Sequence, residues 1–545
     1  MKLTNYKNMF PLSPTIEFVP TPANKTGLWR FLTPVLRENL APCRALCPLE
    51  SAIPLWMEKV AGGDWEGAWK LMEQFNPFPA LTGYACYQFC RSGCNREKWD
   101  EAVAIRDIEK ALGQWRHKNY RLPGTREDGT GKKSAGENGV SPRVVVIGSG
   151  PSGLSCAYYL NRMGAEVTIL ESEPVAGGLL ATGIPDCRLP REILDRELEI
   201  LQGEGIAIRC GTGVNGGLLN DLAQQYDAIL LAVGASRESS LGVPGDDHAD
   251  VTGALSFLKG INFGHRSVPA GTVVVIGGGN AAVDAASAAA RGGAKDVFLI
   301  YRRSEEVMPA HPEEVKAARD AGVKFLFNMI LDRIHGSGAI EKVSLSKVQP
   351  TQRGEKIRRI PGTELVIKCQ MVIGATGQQS NLPGLISLPE VAGGDMVSFR
   401  DKGCFLLAAG DALTGPSNLA SAIFSGRLAA LKLAQALWPR DFDLQLPAAP
   451  ATMNKAEPVS FTSLNPYLYS QHRVLMHPQE EADRCFGCGT CRSCGVCWAF
   501  CPDLAVKYLG GIPEFNLDYC KGCGICVAEC PTGVLSMEEV DDPGN

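Results

Sequence analysis

"RVVVIGSGPSGLSCAYYLNRMGAEVTILESE", residues 143–173, decides the fold. Residues 144–147 form an unbroken apolar, β-branched run, which suits a strand covered on both faces. Gly148, Gly150 and Gly153 follow as G-x-G-x-x-G, with Pro151 and Ser152 inside the motif. A helix comes next, and a second strand over 167–170 ends on Glu171. Each part has a physical task. The first glycine makes a tight turn, the second lets backbone amides approach a pyrophosphate, and the third lets helix lie against strand. The helix N-terminus adds partial positive charge. Glu171, at the end of the second strand, stands where an acid accepts a ribose hydroxyl.

A second unit of the same kind reads "GTVVVIGGGNAAVDAASAAARGGAKDVFLIYRR", residues 271–303. Gly277, Gly279 and Ala282 take the three motif positions, and Asn280 and Ala281 open the helix. The strand over 297–300 ends on Tyr301, Arg302 and Arg303 rather than on an acid. A guanidinium there suits the 2′-phosphate of NADP, whereas NAD would want a carboxylate. Glu305 and Glu306 stand close by, so NAD stays open.

The cysteines make a second theme. Of the twenty in the chain, ten lie between Cys485 and Cys530 and five between Cys43 and Cys94. The remaining five (Cys156, Cys187, Cys210, Cys369, Cys404) are isolated and read as structural. Cys491, Cys494, Cys497 and Cys501 recur at a constant offset as Cys520, Cys523, Cys526 and Cys530, each set ending in Cys-Pro. This is the bacterial ferredoxin run C-x2-C-x2-C-x3-C-P, in which the last cysteine ligates the other cluster. One [4Fe-4S] cluster is therefore expected on Cys491, Cys494, Cys497 and Cys530, the other on Cys520, Cys523, Cys526 and Cys501. Cys485 and Cys488 fall outside the repeat, since the same offset leads from them to Glu514 and Leu517. They read as spare: a redox pair, a weak zinc site or relics.

The set "GSGPSGL", "GGLLATGIPDCRLP", "GGGNAAVD", "YRRSEEVMPA" and "AAGDALTGPSNLASAIFSGR" resembles the glutamate synthase small-subunit family. That family includes the matching part of dihydropyrimidine dehydrogenase. The resemblance covers about residues 40–440. It implies FAD in the first dinucleotide unit, with Gly178 and Leu179 beside it and Gly410, Asp411 and Asn418 where the chain returns to close the FAD domain. It implies NAD(P) in the second unit. "APCRALCPLESAIP" and "GYACYQFCRSGCNRE" resemble the family's helical iron–sulfur domain, whose usual form has a further C-x2-C upstream and two clusters. No cysteine precedes Cys43 here, so one N-terminal cluster is expected. The resemblance places it on Cys47, Cys86, Cys90 and Glu109, with Cys43 or Cys94 able to replace the glutamate.

The expected fold is multidomain. It comprises an arm (1–30), an α-helical iron–sulfur domain (31–122), a linker (123–140) and an α/β FAD domain (141–252 and 381–440). A Rossmann-like NAD(P) domain (253–380) is inserted in the latter. A second linker (441–478) leads to an α+β ferredoxin domain (479–545). Trp56, Trp65 and Trp69 read as core of the helical domain. A net charge of −5 argues against a nucleic-acid partner. No apolar run approaches a membrane span, and no signal core is evident, so a cytoplasmic location is expected.

The expected function is electron transfer between NAD(P)H and a redox partner protein or catalytic subunit in a hetero-oligomer, with a ferredoxin among the candidate acceptors. The alternative is the NAD(P)H-side subunit of a 2-oxoacid oxidoreductase, a sulfite reductase or a glutamate synthase-like complex. Hydride transfer through FAD needs no protein base or nucleophile. Cys187 has no near partner, which argues against disulfide reductase chemistry.

Overall fold

The computed structural model describes residues 26–27, 30–121, 141–385, 391, 394–399, 403–438, 457–471, 473–475, 477–508 and 511–539. Most of the expected arm, the 123–140 linker and the first part of the second linker lie outside these. The chain divides into two units, Tyr120–Phe442 and the combination of Met1–Asn119 with Asp443–Asn545.

In the first of these units, the opening stretch folds as strand Arg143–Ile147, helix Pro151–Arg162 and strand Glu166–Leu170. Four of the five residues of Arg143–Ile147 are buried, as an apolar run inside a parallel sheet requires. The sheet order is Val397–Phe399, Cys404–Ala408, Ala228–Leu231, Arg143–Ile147, Glu166–Leu170, Ala207–Arg209. All neighbours are parallel except the Val397–Phe399 edge. The chain leaves Ile147 to one side and returns on the other, so the glycine loop opens at the switch point, where α/β sheets receive ligands. Helix Leu419–Leu437 lies against Pro151–Arg162 at backbone contact: a Cβ on Gly426 would stand 2.1 Å from the Ser152 carbonyl oxygen.

A second sheet is wholly parallel, in the order Val323–Phe327, Asp296–Tyr301, Thr272–Gly277, Met371–Ala375, Val251–Gly253. Helix Asn280–Arg291 buries an alanine-rich face on one side of it. A three-stranded antiparallel sheet (Met329–Gly336, Ile340–Lys347, Leu365–Lys368) shares a core with the other side through Val274, Ile300, Val343 and Leu345. Strand Val251–Gly253 belongs here, so this domain begins slightly before residue 253. The two chain crossings meet as a short antiparallel pair, Arg237–Glu238 with Gln378–Gln379.

The cysteine-bearing unit differs from a helical domain joined to a distant ferredoxin. Helices Ile53–Ala61, Trp65–Met72 and Ile105–Asn119 bury Trp56, Met57, Met72, Ile108 and Leu112, and Tyr469, Ala482 and Phe486 from the far end of the sequence complete that same core. Trp65 and Trp69 pack against it. Residues 32–36 form a strand rather than a helix, paired antiparallel with Leu535–Glu539. Buried Arg96 fixes the union. It makes two hydrogen bonds to Asp100 (2.7 and 2.6 Å) and donates to the carbonyls of Arg484 (2.8 Å) and Ser470 (2.6 Å). Arg484, also buried, binds Glu481 at 2.7 Å and Asp100 at 3.1 Å. Two guanidiniums and their carboxylates are thus desolvated together, which leaves no uncompensated charge. Among the described residues no helix is long and apolar enough to cross a membrane.

Candidate functional site

The first glycine loop shows which glycines the protein itself needs and which it does not. Gly148 has φ +102°, and a Cβ there would stand 2.4 Å from the Ala232 carbonyl oxygen. A Cβ on Gly153 would stand 2.1 Å from the Gly148 oxygen. Around Gly150, by contrast, no atom of the described residues lies within 4 Å of the Cβ position. Its φ is an ordinary −66°, so nothing in the fold demands glycine there. The need comes from whatever approaches the loop. Beside it, the buried Ser152 hydroxyl, at the start of helix Pro151–Arg162, has no hydrogen-bond partner among the described residues. An open cradle, an orphaned hydroxyl and a helix N-terminus together fit a pyrophosphate.

Glu171 anchors this loop. Its Oε2 accepts from the Ser149 amide (2.9 Å) and hydroxyl (2.5 Å), and Oε1 accepts from the Ser172 hydroxyl (3.1 Å) and the Glu173 amide (2.9 Å). A carboxylate has about four lone-pair positions, and these four bonds fill them, so a ribose hydroxyl would have to share or displace one of them. Gly178 packs on Gly150, and Leu179 starts the helix Leu179–Thr182. Gly410 packs on Ser152, which brings Asp411 to the same loop. Burial raises the Asp411 pKa, opposed by the Ser417 hydroxyl at 2.5 Å. Asn418 is the N-cap of Leu419–Leu437, accepting from the Ser421 amide at 3.0 Å.

The second loop repeats the pattern. A Cβ on Gly277 would stand 2.4 Å from the Ala375 oxygen, whereas Gly279 has no protein atom within 4 Å. Asn280 accepts from the His311 amide at 2.9 Å, Ala281 is half-buried and Ala282 is buried. The two arginines after the strand part company. Arg302 is exposed, whereas Arg303 is buried and donates to the Gln352 carbonyl at 3.1 Å. Only Arg302 therefore stands at the surface to meet a phosphate.

The thiols gather in sets. Cys491, Cys494, Cys497 and Cys530 line one cavity of ≈ 350 Å³. Cys501, Cys520, Cys523 and Cys526 line another of ≈ 340 Å³. Burial, then neighbouring thiols, push Cys497 and Cys526 up to about 12. Such thiols ionise only beside positive charge, which an iron–sulfur core supplies. Cys47, Cys86, Cys90 and Glu109 form a third set: after burial, the charges of Cys47 and Glu109 raise the pKa of both Cys86 and Cys90, and Cys86 raises that of Cys90. Glu109 is pushed up to about 7 by burial, although its Oε1 accepts from Asn76 (2.7 Å) and Thr82 (2.8 Å). Cys43 and Cys94 do not join this set. They face Cys485 and Cys488, the pair that the sequence left without a role, across a cavity of ≈ 380 Å³. The signal was available as arithmetic: two thiols were left over at each end of the chain.

Residues 110–220 and 142–397 match the pyridine nucleotide-disulphide oxidoreductase family. Residues 37–121 match dihydropyrimidine dehydrogenase domain II with its 4Fe-4S cluster, and 513–536 match the 4Fe-4S binding domain. The chain is 32% identical over 421 residues to the glutamate synthase [NADPH] small chain of Escherichia coli (strain K12), across 71% of this chain and 87% of that one. The chain belongs to the glutamate synthase small-chain family. Other relatives of this small-chain homologue are themselves named as subunits. It is 34% identical over 426 residues to the NADP(+)-dependent formate dehydrogenase subunit beta of Moorella thermoacetica, across 73% of this chain and 60% of the relative. It is 32% identical over 374 residues to the NADPH-Fe(3+) oxidoreductase subunit beta of Geobacter sulfurreducens, across 66% and 54%. The chain thus spans little more than half the length of these two. As a small-chain homologue with these matched domains it binds FAD and NAD(P) and carries 4Fe-4S clusters.

Proposed function

We propose that this chain passes electrons between NADPH and a protein partner, as the NADPH-side subunit of a larger assembly. The carrying observation is the pair of glycine loops, each closed by protein at its first glycine and open at its second. FAD takes the Gly148–Gly153 loop, its pyrophosphate against Gly150, Ser152 and the helix that Pro151 opens. NADPH takes the Gly277–Gly279 loop, with Arg302 reaching the 2′-phosphate and Arg303 holding the neighbouring chain in place. Bound there, FAD would supply the exchange between two-electron hydride chemistry and one-electron transfer. The residues for those clusters are the two ferredoxin sets and the set of Cys47, Cys86, Cys90 and Glu109. No side chain is required as acid or base, and the loops serve to bind and orient.

The subunit reading is supported by the names of the relatives and by the surface around the ferredoxin thiols. Phe500, Leu504, Ile512 and Ile525, in the ferredoxin segment, are exposed and available to a partner. The test is spectroscopic. The protein, isolated without oxygen, should hold one FAD, and NADPH should bleach both the flavin bands and the broad cluster absorbance. NADPH that leaves both unchanged sinks the proposal. Cys494→Ser or Cys523→Ser should spare dye reduction and abolish delivery to the partner.

A further inference from the structure

The stretch "RCFGCGTCRSCGVCWAFCP", residues 484–502, has six cysteines, of which the ferredoxin repeat uses four. The other two, Cys485 and Cys488, share one cavity with Cys43 and Cys94. Its ≈ 380 Å³ compares with ≈ 350 and ≈ 340 Å³ at the two ferredoxin sets. We propose that Cys43, Cys94, Cys485 and Cys488 bind a further [4Fe-4S] cluster, built jointly by two segments that lie far apart in the sequence. This rests on the iron–sulfur reading above and adds a fourth cluster to its three.

Several observations converge. The four thiols face one another across that one pocket. The rest of the wall is mostly apolar, with Pro42, Ile53, Met57, Val103 and Phe486 beside Asn95 and Arg96. What polar groups there are point at sulfur. The Gly487 amide donates to Cys485 Sγ at 3.4 Å, as the Ala505 amide does to ferredoxin Cys501 at 3.3 Å. The Asn95 amide donates to Cys488 Sγ at 3.7 Å. Arg96 lines the same pocket and Arg492 donates to the Cys485 carbonyl at 2.7 Å, positive charge suited to a core whose four thiolates leave it anionic.

The cage is also rigid. Asn39 N donates to Gly489 O (2.9 Å), and Asn95 donates to Val459 O (2.8 Å). Zinc would need the four sulfurs about 2.3 Å from one centre. Among the described residues, however, no three Cys, His, Asp or Glu side chains are close enough to hold a single ion. The same holds for the ferredoxin sets, whose sequence motif is that of a four-iron core. The site also falls in a row. Cys43 and Cys94 each stand four residues from a ligand of the Cys47 set, and Cys488 stands three residues before Cys491 of the ferredoxin. The fourth cluster is the link between them.

The experiment uses the full chain, reconstituted without oxygen and assayed for iron, zinc, FAD and integrated EPR signal after dithionite. Four clusters give about sixteen irons per chain, at four each. The double variant Cys485→Ser/Cys488→Ser should lose about four irons and one spin in four, with FAD unchanged. A double variant with the full wild-type iron count overturns the inference. If that variant is insoluble, the wild-type count decides, because the five remaining cysteines lie in the other unit and are scattered. About sixteen then supports the site, and about twelve, with or without one zinc, overturns it and leaves the three-cluster reading standing. Fewer than twelve would remove that reading as well.

Discussion

Replacing Gly150 by alanine separates what the fold needs from what the cofactor needs. The backbone at Gly150 (φ −66°, ψ 174°) suits alanine, and the new methyl would meet no protein atom within 4 Å. The apoprotein should therefore unfold as wild type does, or slightly later, since Gly→Ala at a compatible site stabilises by about 0.4–1 kcal/mol through the unfolded chain. FAD should suffer, because the methyl occupies the space that lets a pyrophosphate reach the loop amides. Losing one hydrogen bond to a charged group costs about 1.5–3 kcal/mol, or roughly 10- to 150-fold in affinity. Gly153→Ala is the comparator. Its methyl would stand 2.1 Å from the Gly148 oxygen, so it should destabilise the apoprotein by about 1–3 kcal/mol through overpacking. The assays are urea unfolding of the deflavinated chain and fluorescence titration with FAD. The reasoning fails if Gly150→Ala binds FAD as tightly as wild type, or if it unfolds as early as Gly153→Ala.

Three further outcomes are expected from the same unit. Arg302→Gln should weaken NADPH binding by roughly 10- to 150-fold while leaving NADH unchanged, the size of one lost charge-assisted contact. Arg303→Gln should instead lower stability, because its guanidinium is buried on the Gln352 carbonyl. An NADPH/NADH ratio unaltered by Arg302→Gln would remove the phosphate role. Asp284 lies buried against Arg188, 2.8 Å away, and burial still pushes its carboxyl up to about 6. The folded protein then holds a proton that the unfolded chain has released between its ordinary value and about 6, so this contribution to stability falls as pH rises across that window and is flat above it. Urea unfolding between pH 5 and 7.5 should show that decline relative to Asp284→Asn. A difference that grows with pH would mean that the Arg188 ion pair outweighs burial.

What could be read from the sequence follows how far apart the cooperating residues lie. The glycine loops were legible because turn, amides and helix N-terminus come from one short stretch, and Gly148 and Gly277 meet in the fold the close neighbours their motif positions imply. The ferredoxin sets were legible because a repeat writes both clusters within one segment. Arg302 and Arg303 look alike in sequence, and only the sheet geometry turns one outward and the other onto Gln352. The joint unit was not legible. A proline-rich crossing reads as a spacer by composition, and nothing local says that Tyr469 and Phe486 will finish the core around Trp56. Nor does Leu32–Leu36 announce a partner strand at Leu535–Glu539. The same blindness explains Cys485 and Cys488. Measured against the ferredoxin repeat they are surplus, and measured against the N-terminal domain Cys43 and Cys94 are two ligands short. Each reading is confined to its own segment, whereas the fold brings the four thiols to one cavity. It follows that a cut near residue 470 does more than remove a ferredoxin. It strips Ala482 and Phe486 from the helical core, Arg484 from Asp100, and two thiols from Cys43 and Cys94. Substitution of single ligands, rather than truncation, is therefore the perturbation that tests electron flow without dismantling the unit that carries it.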